Sequence, residues 1–290
     1  NNKWVLKEKN NYTVPREKVR NFLLELTNLI LVEKKTKLDH RLKRLELNEP
    51  SNNSESRKID IYNKKGQLVA SGFIGKRKYF LYVDGRSGTY IRTGNDLQSW
   101  LAEGEMNFGF YSQDWLNKSI FDFNPKNVKK IIIEYPNRSL ITGLRINTLS
   151  KMEFIDTKKD REFKTDNEAD RLAYVVEKFD FFDVESRSDN NFLNKSHIKS
   201  IATYEFFDGF IIKFHIYTIT DEKKKSNFQE PTRWARVNIE GINISLEQQY
   251  KKEKLLILND YLGKWDFRLQ ELDGIRLTKN VESMLKPLEK

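Results

Sequence analysis

Residues 200–217, SIATYEFFDGFIIKFHIY, constrain the fold of this chain more than any other stretch. Polar and apolar residues alternate on both sides of Asp208-Gly209. A period of two sends successive side chains to opposite faces of a strand. Asp-Gly between two such runs is a strong signal for a tight antiparallel hairpin. One face of this hairpin carries Ile212, Phe214 and Ile216, and the other carries Lys213, His215 and Tyr217. Residues 58–75, KIDIYNKKGQLVASGFIG, repeat the design around Gly66. The chain must therefore build half-buried antiparallel sheets and find something apolar to cover one side of each.

Helical periodicity supplies the cover. Val19, Phe22, Leu23, Leu26, Leu29 and Ile30 recur at steps of three and four, which predicts an amphipathic helix over 14–33 with Pro15 in its first turn. Ala169, Leu172, Val176 and Phe179 predict a second helix over 165–182, opened by a capping box of Thr165 and Glu168. Each helix follows a short strand, KWVLKE in one case and KMEFID in the other, and each precedes a meander. Residues 264–288, KWDFRLQELDGIRLTKNVESMLKPL, read as a third, partial copy: a strand from Trp265, a polar loop, and a short helix after Thr278. SLEQQYKKEKLLILNDYLG predicts a helix over 245–261 that stops at Gly263. The expected fold class is α+β. Two similar strand-helix-antiparallel-meander units cover 1–150 and 151–290, the second including the C-terminal partial copy.

The glycine-rich stretch GRSGTYIRTGNDLQSWL, residues 85–101, tests for phosphate chemistry. A phosphate loop runs from a strand straight into a helix whose first amides face the anion. Here the strand-like TYIRT follows, so DGRSG reads as a hairpin turn, and GNDLQSWL reads as a helix start. Other chemistries find no motif either. There is no cysteine, which excludes disulfides, thiol catalysis and zinc–cysteine sites. His40, His197 and His215 lie far apart, so no metal site and no cofactor is expected. The acid-rich FDFFDVESRSDNN lacks the pattern of a calcium loop and reads as a solvated loop. A hydrolase with carboxylates dispersed along the chain remains open as an alternative.

Lys and Arg total 52 against 42 Asp and Glu, for a net charge of +10. The basic residues are scattered among acids rather than clustered, which argues against nucleic acid as a partner. The longest apolar run, FLLELTNLILV, is interrupted by Glu25, Thr27 and Asn28 and falls short of the ~20 residues of a membrane helix. The chain opens on NNKWVL, without Met and with Trp4 already in a strand-like run, as expected of a mature or trimmed chain.

One surface offers binding chemistry. In 232–239, Ala235, Val237 and Ile239 alternate with Trp234, Arg236 and Asn238. If this strand shares a sheet with 211–217, then Lys213, His215, Tyr217, Trp234 and Arg236 form a basic, aromatic face for an anionic polymer, a glycan or a partner loop. The competing reading is a solvent face, or one covered by the helix at 245–261. Trp4, Trp100, Trp115 and Trp265 sit on apolar stripes and read as core.

Three stretches together resemble the bacterial family known as domain of unknown function 4340. They are the opening WVL…YTV…VRNFLLEL, then KGQLVASGFIG running into YFLYVDGRSGTYIR, and DWLNKSIFDFNPKNVKKIIIEY at 114–135. Met152 and Glu153 stand where the resemblance would place a Trp. The resemblance implies a periplasmic or otherwise extracytoplasmic protein, anchored to the inner membrane by an N-terminal segment absent from this chain. Its implied partners are ABC transporter components of an export system, or other envelope proteins. It implies no catalytic residues. The expected function is a non-enzymatic accessory module, with binding of an anionic ligand, cell-wall polymer or nucleic acid as the alternative.

Overall fold

A computed structural model describes residues 3–51, 54–82, 85–120, 123–155, 164, 167–177, 179–188, 193, 198–220, 231–241 and 249–286. The fold is α+β, with all paired strands antiparallel in the five- and eight-stranded sheets. The chain divides into two compact units, residues 1–5 with 13–115 and residues 6–12 with 116–290. The 150/151 division expected from the repeat falls elsewhere here, because residues 128–144 belong by hydrogen bonding to the sheet of the second unit.

The chain starts with β1 (Trp4–Leu6) and β2 (Tyr12–Val14), a two-stranded ladder. The first unit continues with α1 (Arg16–Thr27), β3 (Ile30–Lys34), α2 (Asp39–Leu42), β4 (Arg57–Tyr62), β5 (Leu68–Lys78), β6 (Gly88–Thr93), β7 (Ser99–Glu103) and α3 (Ser112–Trp115). Its sheet runs β3-β7-β6-β5-β4. Pro15 precedes α1 with a φ of −59°, and Val19 and Phe22 are its buried residues. Phe22 packs edge-on against Phe108 and Trp115, with ring centroids 5.5 and 5.4 Å away. The expected helix over 14–33 stops at Thr27, because the run Ile30-Leu31-Val32 favours a strand once β7 is beside it. The expected helix start at GNDLQSWL is also corrected: residues 99–103 are β7, with Ser99 and Leu101 buried.

Two turns in this unit follow from their side chains. Asn63 accepts from the amides of Lys65 and Gln67 at 2.9 and 3.0 Å, and Gly66 takes a φ of +77°. That combination closes the β4–β5 hairpin. The β5–β6 connection contains DGRSG, as the hairpin reading expects. Within it Gly85 has a φ of +82°, and the Leu81 amide donates to the Arg86 carbonyl at 2.7 Å. Arg86 pairs with Glu103 and covers the Tyr82 ring. Asp84 lies outside the described residues.

The second unit holds β8 (Val128–Glu134), β9 (Leu140–Leu144), β10 (Glu153–Phe154), α4 (Glu168–Ala173), β11 (Phe181–Ser186), β12 (Ile198–Phe206), β13 (Phe210–Ile219), β14 (Thr232–Gly241), α5 (Gln249–Leu262), β15 (Trp265–Leu269), α6 (Glu271–Thr278) and α7 (Val281–Met284). Its eight strands run β10-β9-β8-β12-β13-β14-β15-β11. Gly209 turns β12 into β13 with a φ of +89°. One apolar face of the sheet joins α4, α5 and α6 in a core that includes Ile131, Tyr204, Phe214, Val237, Phe267, Leu172, Leu255 and Leu277. The Tyr204 hydroxyl, buried in that core, donates to the Leu172 carbonyl at 3.0 Å. No described helix is long and apolar enough to cross a membrane.

The expected helix over 165–182 is reduced to α4 and one tighter turn at Tyr174–Val176, and its capping residue Thr165 lies outside the described residues. Residues after it are claimed by the sheet. The acid-rich stretch read as a solvated loop is instead β11, paired with β15 and carrying Phe181 and Val184 fully buried. The polar loop expected after residue 269 is α6. The helix expected over 245–261 is α5, followed by Gly263, and residues 245–248 lie outside the described residues. Of the four tryptophans read as core, Trp265 is buried, Trp100 and Trp115 are half-buried, and Trp4 is exposed on a short strand with no sheet over it.

Gly75 marks where the first unit tolerates no side chain. A Cβ there would lie 2.0 Å from the Leu45 carbonyl oxygen, a backbone atom that cannot swing aside. Gly75→Ala is therefore expected to destabilise the first unit by about 2 kcal/mol, the usual range for overpacking. Hydrogen exchange should show lost protection in β4–β6 while β12–β14 keep theirs. Uniform loss over both units would contradict the two-unit division.

Candidate functional site

β13 and β14 pair with Lys213 opposite Asn238, His215 opposite Arg236 and Tyr217 opposite Trp234. The register therefore brings Lys213, His215, Tyr217, Trp234 and Arg236 onto one face. Their alternates Ile212, Phe214, Ile216, Ala235, Val237 and Ile239 are all buried on the other. Helix α5 does not cover the five. Leu255 and Leu262 of α5 belong to the core cluster on the opposite side of the sheet.

The five residues differ in what they offer. Trp234 and Tyr217 are 8% and 7% exposed, packed with Leu193 and Ile219 in a small cluster of their own. They form a floor rather than protruding anchors. Lys213, His215 and Arg236 are half-buried at its border. Lys213 reaches both oxygens of Glu240 at 3.1 Å. The Arg236 guanidinium lies over the Tyr217 ring, 5.4 Å from its centroid.

Asp266 organises the face. It is fully buried, on β15. Arg236 grips it with Nε to Oδ1 at 2.8 Å and Nη2 to Oδ2 at 3.1 Å. Arg187, just beyond β11, adds Nε to Oδ1 at 3.2 Å and also donates to the Trp265 carbonyl at 3.0 Å. A bidentate guanidinium–carboxylate pair is the geometry in which a buried charge is best compensated. Hydrogen bonding to Asp266 raises the Arg236 pKa. Burial lowers that of Arg187, against the pull of Asp266. Sequence reasoning missed Asp266 and Arg187. The signal for Asp266 was present, since WDFRL alternates and places Asp266 and Arg268 opposite Trp265, Phe267 and Leu269.

Burial, and then Lys213, Arg187 and Arg236, push the His215 imidazole below its ordinary range, with Glu240 opposing. A proton on His215 would add to three cations already facing it. Of the other histidines, His40 sits exposed in α2, and His197 lies outside the described residues. Among the described residues no three His, Asp or Glu side chains gather as a metal site would require.

The family described as Domain of unknown function (DUF4340) matches residues 4–206, more than two thirds of the chain. The chain belongs to this family. No curated protein and no solved structure matches it. The matched range includes the first unit and ends on the last residue of β12. All five residues of the face therefore lie on strands beyond the matched part of this family member.

Two outcomes follow from the geometry. Asp266→Asn leaves two guanidiniums without their counter-charge and is expected to cost about 3 kcal/mol or more, as for one broken partner of a buried pair. Urea unfolding measures it, and a loss near zero would show that solvent already screens the pair. The second concerns pH. The folded His215 pKa lies below the unfolded one, so the unfolded chain takes the proton first as pH falls. Stability from this group is complete above about pH 6.5 and is lost progressively as pH falls through the depressed folded value. His215→Gln should flatten that acid limb of the stability curve, and an unaltered limb would assign it to other groups.

Proposed function

We propose that this family member is a non-enzymatic interaction module of the cell envelope, tethered at its N-terminal side to the inner membrane and associated with an ABC-type export system. The observation that carries the contact mode is the face built on β13 and β14. Sheet pairing and the buried Asp266 hold its cationic groups in fixed positions, so little ordering remains to be done on binding. Lys213 and His215 are the residues a partner reaches, with Arg236 and Trp234 acting as their rigid support. The envelope location and the transport partner rest on the resemblance, which covers nearly all of the chain and is clearest over residues 4–135 and 261–286, and not on the geometry of the face.

A second reading is binding of an anionic ligand or cell-wall polymer through the same face. Lys213, Arg187 and Arg236 outnumber Asp266 and Glu240 there. Salt dependence separates the two readings, because polymer binding by charge falls steeply as salt rises.

The test is a paired charge reversal, Lys213→Glu with His215→Glu, in the membrane-tethered protein. Both positions are half-buried and solvent-facing, and the sheet should keep its circular dichroism. Recovery of co-encoded transporter components from solubilised membranes is expected to drop about tenfold or more, the equivalent of one lost charged contact. Recovery equal to wild type would remove this face from the interaction. A hydrolytic activity abolished by a single carboxylate substitution would remove the non-enzymatic reading altogether.

A further inference from the structure

A cleft of about 430 Å³ opens elsewhere in the second unit, between the Pro125–Asn127 turn, the loop after β9 and the start of α4. Arg145 forms its wall. Only 4% of this residue is exposed. Nη1 donates to the carbonyls of Pro125 and Val128, and Nη2 donates to Asp170 Oδ1 at 2.6 Å. Asp170 Oδ1 also accepts from the Met152 amide at 3.2 Å. One guanidinium thus ties the turn before β8 to α4, and one carboxylate ties α4 to the segment leading into β10. Arg145 Nε is buried with no acceptor. An interior N–H left unpaired is costly and calls for an explanation at the site where it occurs.

The rim has the opposite character. Lys126, Lys151 and Arg171 line the cleft and are exposed. Neither lysine has a carboxylate partner among the described residues, and the Arg171 contact to Glu168 is long, at 3.9 Å. Asp170 is the one acidic residue of the lining, and Arg145 already neutralises it. Two lysines with no carboxylate partner among the described residues, and Arg171 with only its long Glu168 contact, are left lining a concave space. Tyr174, about half exposed, supplies a flat apolar wall beside them.

We infer that this cleft binds a phosphate group carried by a larger molecule. Three cations lining one cleft exceed what one carboxylate would balance, and their charge matches a phosphate at neutral pH. The two ammonium groups act as point charges that adapt to a tetrahedral oxyanion, and the exposed Arg171 adds a guanidinium fork, which also suits phosphate. The Arg145 fork is committed to Asp170 and two carbonyls. The Tyr174 ring takes the sugar or apolar portion next to the phosphate. The phosphate belongs either to a soluble phosphorylated sugar or to a phospholipid headgroup, and both present the same oxyanion. This site is independent of the β13–β14 face and does not rest on the reading proposed for it.

Amide chemical shifts of the intact chain, titrated with inorganic phosphate, a hexose phosphate and the same hexose without phosphate, test the site. Co-sedimentation with phosphatidylglycerol vesicles, against phosphatidylcholine vesicles, tests the lipid source. Saturable shifts confined to 126–127, 145–151 and 167–174 are expected with the phosphorylated probes and not with the free hexose. Lys126→Ala with Lys151→Ala, both at exposed positions, should weaken binding about tenfold or more while the dispersion of the spectrum is kept. Binding of phosphatidylglycerol vesicles, lost in the same variant, would place the phosphate on a lipid. No saturable shift with any phosphate probe and no vesicle binding would overturn the inference. So would equal binding of the free hexose or of phosphatidylcholine, or binding that the double variant leaves unchanged.

Discussion

Phe179, Phe181, Phe214 and Phe267 pack as one aromatic cluster, with ring centroids 5.0 to 5.9 Å apart in tilted and edge-on pairs. Three of them stand on different strands of the eight-stranded sheet, and Phe179 lies just before one of these, β11. Each buried ring removes a large apolar area from water and gains a further fraction of a kcal/mol or more from ring geometry. The cluster pins β11, β13 and β15 to the same side. Strand pleating then leaves no choice for the alternates: Lys213, His215, Arg236, Asp266 and Arg268 must point the other way. Tyr12 completes this arrangement from far away in sequence. It is fully buried, edge-on to Phe181 and Trp265, and its hydroxyl donates to the Asn117 carbonyl at 3.0 Å.

That forced exit explains why a carboxylate can sit fully buried in Asp266. Desolvating it costs several kcal/mol, which only close, well-directed cations offset. Arg236 and Arg187 supply them from β14 and from just beyond β11. Lys9 does the same nearby, bonding Asp183 and Glu185 at 2.9 to 3.0 Å. A hydrophobic replacement would hold the strands as firmly. The ionic arrangement additionally fixes where positive charge emerges at the surface, and that is a property a binding face can use.

The sheet itself was legible because its signal is local. Alternation in 200–217 and 232–239 marked the two faces of each strand, and the Asp208-Gly209 turn marked the hairpin, while the pairing that groups the five residues was only a condition, met by the register of β13 with β14. What alternation could not report is depth. Trp234 reads as an outward residue and is outward, yet Leu193 and Tyr217 bury it, and that contact spans some forty residues of sequence. Helix ends failed for a related reason. Leu29 and Ile30 fit the stripe of α1, but β7 competes for the β-branched run and wins through pairing that no local window contains. The stretch FFDVES was hidden by its acids, whose partner Lys9 comes from another element. Arg145 carried no sequence signal, since its partners Pro125 and Asp170 lie 20 and 25 residues away on either side.

The family match ends at residue 206, yet the fold cannot end there. β12 hydrogen-bonds to β13 along its length, and Tyr204 packs edge-on against Phe214 at 5.5 Å. Residues 4–206 without β13–β15 would leave β12 as an open apolar edge and the aromatic cluster half-built. The matched stretch is thus a sequence unit whose folding requires the strands beyond it. The two surfaces divide along the same line. Lys126, Arg145, Lys151, Asp170, Arg171 and Tyr174 all lie inside the matched range, and the five residues of the β13–β14 face all lie outside it. At the face, the supporting aromatic core holds the strands in register whatever side chains point outward.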